Sequence, residues 1–232
     1  MTRNRLVRSA AGAIVVAGLG LAPIGVAYTQ TEPPAPDLKR GAAIVTQGTG
    51  AALACAQCHA SNGASDGSGA FPRLAGQSSY YLSQQMRAFA SGDRANAVMS
   101  PIAKALSADD IADVSAYYAG VSAPFPRLPA AAAALVRRGQ ELAKVGSAAK
   151  SLPACDNCHG PGGVGEPPAI PYLAGQYGGY IASELHMWQA GLRKSSPEAM
   201  GQIAKRLDDQ DIAAVAAYYQ QVGSGADPVA SH

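Results

Sequence analysis

Cys55-Ala56-Gln57-Cys58-His59 and Cys155-Asp156-Asn157-Cys158-His159 are the two stretches on which the reading of this 232-residue chain turns. They stand 100 residues apart, and the echo spreads outward from them. Pro72-Arg73-Leu74-Ala75-Gly76-Gln77 returns as Pro171-Tyr172-Leu173-Ala174-Gly175-Gln176, a shift of 99. Met99 with Ile102-Ala103-Lys104 returns as Met200 with Ile203-Ala204-Lys205, a shift of 101. Asp110-Ile111, Val114 and Tyr117-Tyr118 return as Asp211-Ile212, Val215 and Tyr218-Tyr219, and Arg40-Gly41 returns as Arg138-Gly139. A whole unit of about 85–95 residues is therefore present twice. The expected domains are 37–121 and 131–222. Between them lies a linker, 122–130, whose Pro124, Pro126 and Pro129 favour an extended, semi-rigid connection.

Each unit predicts three helical pieces and an all-α fold. The first begins near Asp37 and Ala131, with Gly41 and Gly139 leaving a small-residue face. The second follows Ala-Gly-Gln and carries Tyr81, Leu82, Gln85, Met86 and Phe89, matched by Tyr180, Ile181, Glu184, Leu185 and Trp188. The third opens on Ser107 and Asp208 as N-caps with acidic residues in the first turn. Its apolar face recurs at helical spacing through Ile111, Val114, Tyr117 and Tyr118, and through Ile212, Val215, Tyr218 and Tyr219. The Gly-, Ser- and Pro-rich stretch between the Cys-His motif and the second helix reads as loop. Aromatic residues are only 6% of the chain, so a bulky apolar group from elsewhere is expected to complete each core.

Cys-x-x-Cys-His is the attachment sequence of a c-type haem. Two thiols three positions apart on one helical turn can each bond a vinyl group, and the next residue, His, is then held under the iron. Cys55, Cys58, Cys155 and Cys158 are thus the expected attachment points of two haems, with His59 and His159 as proximal ligands. A thioredoxin-like pair or half of a zinc site uses the same cysteine spacing. The first needs a strand–helix setting and the second a further Cys or His pair nearby; neither half offers either.

The sixth iron position separates an electron carrier from an enzyme. Met99 lies 40 residues after His59 and Met200 lies 41 after His159, at one register of the repeat although their neighbours change. Both are expected as axial ligands. Met86 faces Leu185 and Met187 faces Ala88 in the repeat, so these two read as core fillers. His186 reads as a surface residue and His232 as a tail residue. With methionine at the same place in both halves, a two-haem peroxidase, which needs an open iron, is the weaker reading.

The N-terminus has Arg3, Arg5 and Arg8, an apolar run from Ala10 to Ala22, then Pro23, Gly25 and the small pair Val26-Ala27. This is the pattern of a secretory signal over 1–27; left uncut, it would be an N-terminal anchor. Either way the rest is exported, with the periplasm as the expected compartment. The segment holds three arginines and no acid. Without it the balance goes from 18 basic against 16 acidic residues to 15 against 16, which offers no basic face for nucleic acid.

With both motifs, both methionines and both Leu-Ala-Gly-Gln elements in view, the chain resembles the two-haem class I cytochromes called cytochrome c4, over about residues 37–222. The resemblance implies two tandem class I cytochrome domains related by a pseudo-twofold axis. It implies Cys55, Cys58, His59 and Met99 on one haem, and Cys155, Cys158, His159 and Met200 on the other. Pro72 and Pro171 fall where that family has a proline whose carbonyl accepts from the proximal His ring. It also implies a periplasmic shuttle without a small-molecule substrate, from a quinol-oxidising complex to a terminal oxidase. A tightly bound subunit of a periplasmic dehydrogenase or oxidase is the alternative.

Overall fold

The computed structural model describes residues 35–125, 128–196 and 198–222. The expected leader over 1–27, His232 and the middle of the linker lie outside these. Among the described residues there is no strand, only isolated bridges between single residues. The first half contains α1 (Leu38–Gln47), α2 (Ala56–His59), α3 (Ser79–Ser91), α4 (Met99–Lys104) and α5 (Ala108–Gly120). The second repeats them as α6 (Ala133–Lys144), α7 (Asp156–His159), α8 (Gly178–Gln189), α9 (Met200–Ala204) and α10 (Asp209–Gln221). The three long helices of each half match the sequence expectation. The short α4 and α9 are additions to it. At six and five residues they show no readable periodicity, and in neither does the N-cap residue, Val98 or Ala199, cap the helix with its side chain.

The caps follow the sequence. Asp37 accepts from Lys39 and Arg40 N–H to start α1. Ser107 and Asp110 form a reciprocal capping box on α5, and Asp208 accepts from Asp211 N–H on α10. Each such cap contributes about 1 kcal/mol.

In each half the first and last helices cross where the small residue sits. A Cβ on Gly41 would lie 2.5 Å from the Asp113 carbonyl oxygen, and one on Gly139 only 2.0 Å from that of Ala214. Glycine is thus required by close backbone approach. The arginine beside each glycine then reaches the last helix. Arg40 pairs with Asp113 and Arg138 with Asp211. The arginines are equivalent in the repeat but the acids are one helical turn apart, so the two halves solve the same contact differently.

Around these crossings Ile44, Val45, Leu82, Ile111, Val114 and Tyr118 fill one core. Leu142, Ile181, Leu185, Ile212, Val215, Tyr218 and Tyr219 fill the other. Burying each large apolar side chain contributes about 1.5–3 kcal/mol.

The halves face each other across a pseudo-dyad, and contacts come in swapped pairs. Arg94 and Arg193, 99 residues apart, form an antiparallel bridge, with Ala95 N–H donating to Leu192 O at 3.2 Å and Lys194 N–H donating to Asp93 O. The guanidinium of Arg94 reaches Tyr180 Oη and Glu184; that of Arg193 reaches Tyr81 Oη, Gln85 and the same Glu184. Both arginines are only 4% exposed. Arg94 also lies over Phe89, and Arg193 over Trp188. Gln85 and Glu184 are equivalent in the repeat, so two buried guanidiniums share one carboxylate.

The linker is held as well. Arg73 donates to Pro124 O at 2.9 Å and also to Ala123 O, and its guanidinium covers Phe125.

Candidate functional site

Each Cys-x-x-Cys-His motif forms one short helix, α2 or α7, entered at Cys55 or Cys155. The helical turn starts with His59 and His159 N–H donating to the carbonyls of Cys55 and Cys155, at 2.9 and 3.0 Å. It places both thiols and the imidazole of each half on one turn. All four cysteines are free, and Cys55 and Cys155 pack against the cores of their halves. Burial pushes the Cys55 thiol above its ordinary value and the Cys155 thiol up to about 11. They are therefore protonated at neutral pH.

The loop after each motif returns over the histidine. Gly63 and Gly163, both at positive φ, accept through their carbonyls from Leu74 and Ala75, and from Leu173 and Ala174. A Cβ on Gly163 would meet the Tyr219 ring at 2.5 Å, so the turn is closed to other residues. The fold-back brings Pro72 O to 3.1 Å from His59 Nδ1 and Pro171 O to 2.9 Å from His159 Nδ1. A carbonyl can only accept, so Nδ1 carries the proton and Nε2 keeps its lone pair. Both rings are buried, at 6% and 8% exposure. Burial holds both below their ordinary basicity, with the proline carbonyls working the other way. A neutral imidazole with a free Nε2 beside two free thiols fits the donor set of a covalently held haem.

Met99 and Met200 each occupy the first position of a short helix, α4 and α9, and both are half-buried. Met99 N–H donates to Asn96 Oδ1 at 2.8 Å; Met200 packs against the second core with Cys155 and Ile203. Met86 packs against the first core. His186 is exposed and contacts Gln189 on its own helix at 3.0 Å. Among the described residues no helix is long and apolar enough to cross a membrane, and no cluster of His, Cys, Asp and Glu is arranged to hold a separate metal ion.

The cytochrome c family model matches residues 38–122 and 136–223. This chain belongs to the cytochrome c family. A cytochrome c4 of Pseudomonas aeruginosa is 36% identical over 186 residues, 79% of this chain and 90% of that one. A thiosulfate dehydrogenase electron acceptor of Stutzerimonas stutzeri is 39% identical over 186 residues, 79% of this chain and 86% of that protein. Among solved structures, reduced cytochrome c4 from Pseudomonas stutzeri superposes with a TM-score of 0.71 at 29% identity, covering 81% of this chain and all of that one. A thiosulfate dehydrogenase, TsdBA, from Marichromatium purpuratum superposes with a TM-score of 0.75 at 40% identity. This match covers 82% of this chain but only 41% of that longer one. Two cytochrome c domains imply two covalently attached haems, and the chain is a dihaem electron carrier rather than an enzyme.

Sequence reading alone did not reach the interface. Arg94, Arg193, Gln77, Gln176 and Glu184 touch the opposite half, and a constant shift between repeats identifies equivalent residues without saying which of them cross. The recurrence of Gly92-x-Arg94 as Gly191-x-Arg193 was the available signal. A large charged residue held at one register of a thin-cored repeat marks a place where it is paired.

Proposed function

We propose that this cytochrome is an exported, periplasmic one-electron relay that takes electrons from a thiosulfate-oxidising dehydrogenase and delivers them to the respiratory chain. The thiols of Cys55 and Cys58, and of Cys155 and Cys158, would hold the two haems. His59 and His159 would ligate one face of each iron through Nε2, and Met99 and Met200 the other. Bound haem supplies a reversible Fe(III)/Fe(II) couple. The chain's residues set its terms: Pro72 O and Pro171 O hold the imidazoles in one orientation, and methionine sulfur favours the ferrous state relative to a second histidine. Held from both sides by these side chains, the iron would be closed to substrate, and little would need to move when an electron arrived.

The observation that carries the reading is the duplicated presentation itself. Two histidines have the same tautomer and the same proline partner, and two methionines begin equivalent helices. The donor is suggested by the names of the thiosulfate dehydrogenase electron acceptors among the relatives. The cytochrome c4 relatives favour a second reading, in which the donor is a quinol-oxidising complex and a terminal oxidase the acceptor.

Two measurements test this. The oxidised protein should show the weak long-wavelength absorption of methionine-bound ferric haem at two equivalents per chain, with Met99→Ala and Met200→Ala each removing half. Stopped-flow mixing with a thiosulfate dehydrogenase and thiosulfate should reduce both haems; reduction by a quinol-oxidising complex alone would assign the second reading instead.

A further inference from the structure

The side-chain amide of Gln176 crosses the pseudo-dyad and brackets one residue of the other half. Arg73 N–H donates to Gln176 Oε1 at 2.9 Å, and Gln176 Nε2 donates to Arg73 O at 3.0 Å. The equivalent Gln77 does the same to Tyr172, at 3.4 Å in each direction. Both glutamines are buried, at 4% and 5% exposure. Arg73 directly follows Pro72, and Tyr172 directly follows Pro171. The peptide group whose carbonyl accepts from His59 Nδ1 is therefore the one whose N–H donates to Gln176. Likewise the peptide holding His159 donates to Gln77. Three groups stand in line in each case: imidazole N–H, peptide, glutamine carbonyl.

We propose that Gln176 and Gln77 are crossed positioning residues, each tuning the proximal histidine of the opposite half through one shared peptide. This rests on the His59 and His159 ligation proposed above. A peptide that donates at nitrogen becomes a better acceptor at oxygen; such chains strengthen each bond by roughly 10–30%. A stronger acceptor at Pro72 O draws the His59 Nδ1 proton outward and makes Nε2 a better donor. That favours the ferric state and lowers the potential in the first half. Hydrogen bonding weakens with distance, so the shorter Gln176 bonds act more strongly on His59 than the Gln77 bonds act on His159. A single chemical device repeated twice thus treats the two sites unequally.

The test uses the reduced, diamagnetic holoprotein with ¹⁵N-labelled histidine, alongside spectroelectrochemical titration of both haems. Gln176→Leu should move the His59 Nδ1–H resonance upfield, leave that of His159 in place, and raise the potential of the first-half haem. Gln77→Leu should do the reverse, with a smaller shift. Gln176→Glu, which keeps an acceptor oxygen, should return the His59 resonance toward its wild-type position, and it guards against a Leu variant that merely loosens the interface. Both resonances moving together, each glutamine acting on its own half, or neither resonance responding would overturn the proposal while leaving ligation intact. A wild-type protein without proximal histidine signals would overturn the ligation reading and this proposal with it.

Discussion

Removing the carboxylate at position 184 perturbs the interface where its charge is least balanced. Glu184 Oε1 lies 2.7 Å from Arg94 Nη2 and its Oε2 lies 2.7 Å from Arg193 Nη1. The guanidiniums are nearly inaccessible, and Glu184 has a side-chain exposure of 16%. Glu184→Gln keeps the shape and leaves two buried cations with neutral partners only, the side-chain amides and the Tyr81, Tyr180 and Ser195 hydroxyls. Deleting one partner of a buried ion pair costs about 3–5 kcal/mol. One carboxylate serves two arginines here, but it retains some solvent, and these corrections oppose each other, so about 3–5 kcal/mol is the expected loss. With a urea slope of about 2 kcal/mol/M, the unfolding midpoint of the holoprotein should fall by about 1.5–2.5 M. The partner experiment is Gln85→Glu. Gln85 Oε1 accepts from Arg94 at 3.0 Å and Arg193 at 2.7 Å, so a carboxylate there supplies the second negative charge and should raise the midpoint. Urea titration followed by tryptophan fluorescence reads both variants, since Trp188 stacks on Arg193 at 3.8 Å. A loss under about 1 kcal/mol for Glu184→Gln, together with destabilisation by Gln85→Glu, would refute the view that this cluster is short of negative charge.

Gly139→Ala should destabilise the holoprotein by more than about 2 kcal/mol in thermal melts, because its Cβ meets backbone; Gly120→Ala, with open space around it, should instead stabilise slightly. Ser107→Ala should cost about 1 kcal/mol by the same assay, since it removes one side of the capping box on α5. The Asp208 carboxyl is held below its ordinary 3.8, first by the Lys150 ammonium that donates to it and then by Asp211 N–H. A carboxyl with a depressed folded value stabilises above its unfolded value and loses that contribution as pH falls through the folded one. Acid titration should therefore soften the second half below about pH 4, and Lys150→Met should shrink that step. A pH-independent melting temperature across that window would contradict it.

How much was legible depended on whether a feature was local. The Cys-x-x-Cys-His turns, the Ser107 and Asp208 caps and the apolar faces of α5 and α10 each lie within a few residues of chain, and spacing alone revealed them. Pro72 and Pro171 came from family resemblance, and the structure sets their carbonyls against the His rings. The methionines stood out by register, yet the helices they open were too short to show a pattern. Arg40 and Arg138 were recognised as a repeat, but their acids, Asp113 and Asp211, sit at different positions, and no shift rule could have paired them. The glutamines of the Leu-Ala-Gly-Gln elements mark the duplication in sequence; their contact with the other half depends on how the halves meet.

The Arg94–Arg193 bridge lies on the pseudo-dyad, and a dyad contact is self-complementary: the same patch meets its own copy. The backbone pairing of each half would therefore admit an identical partner, and the side-chain charges decide whether it is tolerated. Two copies of the second half would bring two Glu184 side chains to two Arg193 side chains, a neutral quartet. Two copies of the first would set two Arg94 against two neutral Gln85, leaving uncancelled positive charge in a dry seam. Separated at the linker, the second half would be the one suited to homodimerise, and the first would prefer its sibling.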